Sequence, residues 1–137
     1  MSSSGLLSPV VLVDDNADDL FVLRQRLLRG GVDHPIVTCE DGEEAMAHLK
    51  RIVGKPAECP VVIFLDLRMP RCGGFEVLKW VRAQPAFDGV PVIIVSTSAL
   101  LEDSARALQL GAAQFLSKYP APETLAEIVK AAAAAKK

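Results

Sequence analysis

Four short apolar runs lead into residues that can do chemistry. The run 9–14 (PVVLVD) closes on Asp14 and is followed by Asp15. The run 61–66 (VVIFLD) closes on Asp66, and the run 91–96 (PVIIVS) closes on Ser96, followed by Thr97 and Ser98. The short run 114–117 leads into Lys118. Acids a few ångströms apart repel one another unless a cation joins them. Mg2+, a hard ion that seeks oxygen, suits one or two carboxylates, a backbone carbonyl, water and phosphoryl oxygens. Such an ion would neutralise an incoming phosphoryl group and position it for in-line attack by a carboxylate, giving an acyl phosphate. A hydroxyl and a lysine on the far side would then hold the phosphoryl oxygens.

Taken singly, most of these residues have an ordinary structural explanation. An Asp after a strand is commonly a turn residue or a helix N-cap, a lone serine is usually a cap, and a lone lysine is usually solvated. Asp66 is harder to explain away, because a charge at the end of an apolar strand is expensive without a partner. The joint occurrence at four strand ends is what points to a site.

Bringing them together requires strands that end on one edge. The apolar runs 9–14, 36–39, 61–66, 91–96 and 114–117 alternate with helical patterns over 18–29, 42–53, 75–83, 101–110 and 123–137. Leu20, Leu23, Leu27 and Leu28 fall at helical spacing in the first helix, Ala45, Leu49 and Ile52 share one face of the second, and Phe75, Leu78 and Val81 face inward in the third. Gly30, Gly31 and Gly111 stop helices, and Gly54, Pro56 and Pro60 mark a loop. Continuous apolar strands alternating with amphipathic helices predict an α/β fold: a parallel five-stranded sheet, doubly wound as (βα)5. Ligands of such sheets bind outside the carboxyl ends of the strands, where the acids collect.

Composition agrees with one domain over 1–137, with residues 1–8 as a flexible start. The chain has 137 residues, 50% of them hydrophobic and 23% charged, with a net charge of −2. That balance argues against nucleic-acid binding, which usually needs a basic face. No apolar run approaches the length of a membrane span, and the start of the chain makes a poor signal peptide. Three cysteines with no CxxC or Cys/His cluster suggest reduced thiols and a cytoplasmic protein. His34, His48 and Cys72 lie apart from the acid edge or in a loop, and none is given a role. P-loop, GxGxxG and GxSxG motifs are absent.

The stretches VLVDDN (11–16), FLDLRMP (64–70), VIIVSTS (92–98) and FLSK (115–118), in this order and spacing, resemble the receiver domains of two-component response regulators. The resemblance runs from about Val10 to Val129 and implies strand order 2-1-3-4-5. It implies Asp66 as phosphoacceptor, Asp15 and Asp14 as Mg2+ ligands with Asp66 and the backbone carbonyl of Arg68, and Lys118 as partner of the phosphoryl group. Ser96 and Phe115 would form the switch, and Arg68 and Ser98 would tune hydrolysis. The segment 31–51 and the long loop before the third strand resemble single-domain regulators paired with bacteriophytochrome histidine kinases. Two departures stand out: Tyr119 separates Lys118 from Pro120, where Lys-Pro is usual, and the loop after Asp66 reads Arg71, Cys72, Gly73, Gly74.

The expectation is therefore a phosphorylation-activated receiver without an output domain, not an enzyme with an external substrate. It would take its phosphoryl group from a sensor histidine kinase and present a docking surface on the fourth helix, fifth strand and fifth helix. A downstream protein, a phosphotransfer partner or a second copy in a homodimer would read that surface. Other classes fit less well. A Mg2+-dependent phosphatase with an Asp nucleophile expects a second Asp two residues on, where Arg68 stands. A degenerate receiver serving as a constitutive binding module usually loses an acid or the lysine, and all are kept here. A flavodoxin-like binder needs a Ser/Thr/Gly-rich phosphate loop, for which DDNADD (14–19) is too acidic.

Overall fold

The computed structural model describes residues 7–97 and 100–135. Five strands and five helices alternate: β1 (Val10–Val13), α1 (Ala17–Arg29), β2 (Ile36–Cys39), α2 (Gly42–Ile52), β3 (Val62–Leu65), α3 (Gly74–Arg82), β4 (Val92–Ser96), α4 (Leu101–Gln109), β5 (Gln114–Ser117) and α5 (Pro122–Ala135). All strands pair in parallel, in the order β2-β1-β3-β4-β5. This is the predicted sheet. Single 3-10 turns at Pro56–Glu58 and Pro85–Phe87 punctuate loops that the sequence marks only as breaks; a proline opens each turn.

Both faces of the sheet are covered, and the period of two along each strand divides the core. Val10, Leu12, Val62, Phe64, Ile93 and Val95 pack with Leu20, Leu23 and Leu27 of α1 and Leu125 and Val129 of α5. Val11, Val13, Ile63, Leu65, Val92 and Ile94 face the other way, toward α2, α3 and Ala107 of α4. Each fully buried Val, Ile or Leu contributes about 1.5–3 kcal/mol relative to exposure.

Two positions in the helical patterns are less buried than their apolar neighbours. Leu28 is 46% exposed, because Leu20, Leu23 and Leu27 already fill the α1 stripe. In α3 Val77, Leu78 and Val81 are buried, and Phe75 packs half-buried against the same core with the Arg106 guanidinium 4.4 Å above its ring. The cation–π contact gives that ring a partner outside the core.

Backbone hydrogen bonds carry the ladder one residue past the strands. The Asp14 amide donates to the Cys39 carbonyl (3.1 Å), that of Asp66 to Val13 (2.9 Å) and that of Lys118 to Ser96 (3.1 Å). The register thus brings the ends of β1, β3, β4 and β5 to one edge.

Candidate functional site

At that edge the acids and the lysine meet. Lys118 Nζ lies 2.7 Å from Asp14 Oδ2, 2.6 Å from Asp19 Oδ2 and 3.7 Å from Asp66 Oδ1. The Lys118 side chain is only 4% exposed and that of Asp66 7%. Asp14, Asp15 and Asp66 each offer a carboxylate oxygen, and these oxygens lie within 4.8 Å of one another. Asp15 is exposed while the other two are buried, so the cluster has a wet side and a dry side. Three carboxylates this close, with an opening to solvent, fit a hard cation taking oxygen ligands.

The electrostatics follow from that crowding. Burial, reinforced by the neighbouring Asp14 charge, pushes the Asp66 carboxyl up to about 6. Burial also raises Asp14, outweighing the hydrogen bonds from Lys118 and the Asn16 amide. For Lys118 burial works toward a lower value, but the bonds to Asp14 and Asp19 outweigh it and hold the ammonium above the ordinary lysine range. The lysine is therefore charged, and a cation added at the acids would relieve both raised carboxyls.

Local structure sets each piece. Asn16 caps α1 by accepting the Asp19 amide (3.0 Å), and Asp14 Oδ1 accepts the Asn16 amide (3.0 Å). Beyond Asp66 the chain doubles back so tightly that a Cβ on Gly74 would lie 2.3 Å from the Asp66 carbonyl oxygen. Arg71 takes a left-handed backbone (φ 63°) in this loop, and its guanidinium reaches Asp41 (3.3 Å) and Glu43 (3.1 Å) at the start of α2.

Ser96 is fully buried at the end of β4, in register with Ser117. Phe115, in register with Ile94, is half-buried against the α2–α4 side of the core. The Arg68 side chain is 58% exposed and pairs with Asp103 on α4. Ser98 lies outside the described residues. The peptide between Lys118 and Tyr119 is cis.

Three contributors escape the sequence reading. Asp19 is a second carboxylate on Lys118, and its partner is 99 residues away in the chain. Tyr119 donates its hydroxyl to the other Asp19 oxygen. Asp103 receives Arg68 across the gap between the β3–α3 loop and α4. The acidic first turn of α1 was the available signal for Asp19, but such turns are common for helix-dipole reasons alone. Burial pushes the Cys39 thiol up to about 12 and also raises Cys72, so neither is activated as a nucleophile.

Among known proteins, the model of the response regulator receiver domain matches residues 10–130. Response regulator Rcp1 of Synechocystis is 30% identical over 112 residues, which span 80% of this chain and 75% of Rcp1. The solved structure of the phosphorylated cyanobacterial phytochrome response regulator RcpA is 31% identical, with a TM-score of 0.74, covering 91% of this chain and 90% of that one. The bacteriophytochrome response regulator AtBRR superposes with a TM-score of 0.78 at 27% identity, covering 94% of each chain. Longer relatives share only this segment: the chain spans 44% of one transcriptional regulator and 32% of one protein-glutamate methylesterase. Fold, edge and family match agree, and the chain belongs to the response regulator receiver family of two-component signalling.

Proposed function

We propose that Asp66 is the phosphoacceptor, loaded by a sensor histidine kinase of the phytochrome class. The observation that carries this reading is the buried Asp66 carboxylate, held between a fully charged lysine and two further acids at the carboxyl edge of the sheet. An Asp66 oxygen attacks phosphorus in line as the bond to the kinase's imidazole nitrogen breaks, and the electron pair of that bond stays with the imidazole. Lys118 neutralises charge on the phosphoryl oxygens, and the Ser96 hydroxyl supplies a hydrogen bond from β4. Asp14, Asp15, Asp66 and the Arg68 carbonyl would hold Mg2+, which supplies charge neutralisation and alignment of the phosphoryl group when bound.

The likeness to RcpA, Rcp1 and AtBRR supports the phytochrome-type partner. The chain turns over no external substrate; it is a cytoplasmic signalling module read by a downstream protein, a phosphotransfer partner or a second copy. No helix among the described residues is long and apolar enough to cross a membrane. Added charge at Asp66 favours the state in which Ser96 closes on the phosphoryl group and Phe115 turns further inward, biasing the α4–β5–α5 surface. Incubation with acetyl phosphate and Mg2+ should add the mass of one phosphoryl group. Chelation of the metal or Asp66→Asn should abolish the gain. A gain that persists in Asp66→Asn contradicts the assignment.

A further inference from the structure

Asp19 stands at the third position of α1 with its side chain 13% exposed, and both of its oxygens are engaged. Oδ2 is 2.6 Å from Lys118 Nζ, and Oδ1 accepts from the Tyr119 hydroxyl. Tyr119 is itself tied to α1: the Arg26 guanidinium carbon lies 5.8 Å from its ring centroid, and Arg26 Nη1 donates to the carbonyls of Tyr119 (3.3 Å) and Pro120 (3.0 Å). The loop after β5 is thus gripped by two residues of one helix, Asp19 and Arg26.

The ammonium is shared unequally. It sits 2.7 Å from Asp14 and 2.6 Å from Asp19, against 3.7 Å from Asp66. An anion at Asp66 must draw the ammonium against the pull of Asp19. The Tyr119 hydroxyl occupies one Asp19 oxygen and so moderates that pull. We propose that Asp19, moderated by Tyr119, is a positioning residue that holds Lys118 back from Asp66 and thereby sets how tightly a phosphoryl group there is bound. This rests on Asp66 as phosphoacceptor.

The test is calorimetric affinity for beryllofluoride with Mg2+, in the wild type and four variants. Asp19→Asn should bind about three- to tenfold tighter, the size of one charge-assisted bond to a partly buried carboxylate. Asp18→Asn removes the same charge from the exposed neighbouring position and should stay within about twofold of wild type. Asp19→Glu, whose carboxylate still reaches the ammonium, should restore wild-type affinity. Tyr119→Phe frees Asp19 to hold the lysine harder and should weaken binding about twofold. In the metal-free protein, the 15N signal of the Lys118 ammonium should move in Asp19→Asn and stay in Asp18→Asn.

An Asp19→Asn variant no tighter than Asp18→Asn, or weaker than wild type, overturns the proposal, as does an unmoved ammonium signal. A wild type that binds no beryllofluoride contradicts the Asp66 reading itself. Wild-type binding that Asp19→Asn leaves unchanged sinks only the present inference.

Discussion

Asp66 ionises against its surroundings, and that has a measurable consequence for stability. Its carboxyl is pushed up to about 6 from an ordinary 3.8, first by burial and then by Asp14. A carboxyl raised in the fold stabilises it while protonated in both states, below about pH 4, and that contribution is lost as pH climbs through about 6. In metal-free protein, Asp66→Asn should match the wild type near pH 4 and exceed it by on the order of 1–3 kcal/mol above pH 7, as read by urea unfolding at each pH. Lys118 keeps Asp14 and Asp19 in that variant, so the lysine is not orphaned. Equal stability of the two proteins at pH 7 would contradict the cost assigned to this carboxylate.

The loop between β3 and α3 shows how an element constrains a residue. Its return past Asp66 leaves no space for a Cβ at Gly74, and a Cβ added at Gly42 would lie 2.0 Å from the Cys72 carbonyl oxygen. Gly74→Ala must therefore displace backbone at the acceptor itself. It should cost about 1–3 kcal/mol of stability and slow phosphorylation by acetyl phosphate, whereas Gly89→Ala, with open space around it, should do neither. What was legible in the sequence follows the same division. Strands such as 61–66 declare themselves because a parallel sheet buries both of their faces, and the acids are legible because they end those strands. Asp19, Tyr119 and Asp103 were not, because each acquires its role from a residue that only the folded chain brings near. The half-buried position of Phe75 was hidden for the same reason: its Arg106 partner comes from the next helix.

In the molecule as a whole, the helices are held unevenly. α1 buries three leucines and α3 buries Val77, Leu78 and Val81, while α4 buries only Asp103 and Ala107 and leaves Leu101 86% exposed. An element with so little apolar anchorage opens at low free energy. It is also the helix whose Asp103 receives Arg68 from the acceptor loop. Hydrogen exchange should find α4 amides less protected than those of α1 and α3. Loading with beryllofluoride and Mg2+ should change protection in α4 and β5 while leaving α2 alone; a change confined to α2 would contradict the proposed output face.

The central claim is that one carboxylate, that of Asp66, accepts the phosphoryl group. The most direct measurement is borohydride reduction of the freshly phosphorylated protein, which converts an acyl phosphate to homoserine, followed by peptide sequencing in a mass spectrometer. The account predicts homoserine at position 66 and at no other aspartate. Homoserine at position 14, 15 or 19, or phosphate recovered on His34 or His48, would contradict it.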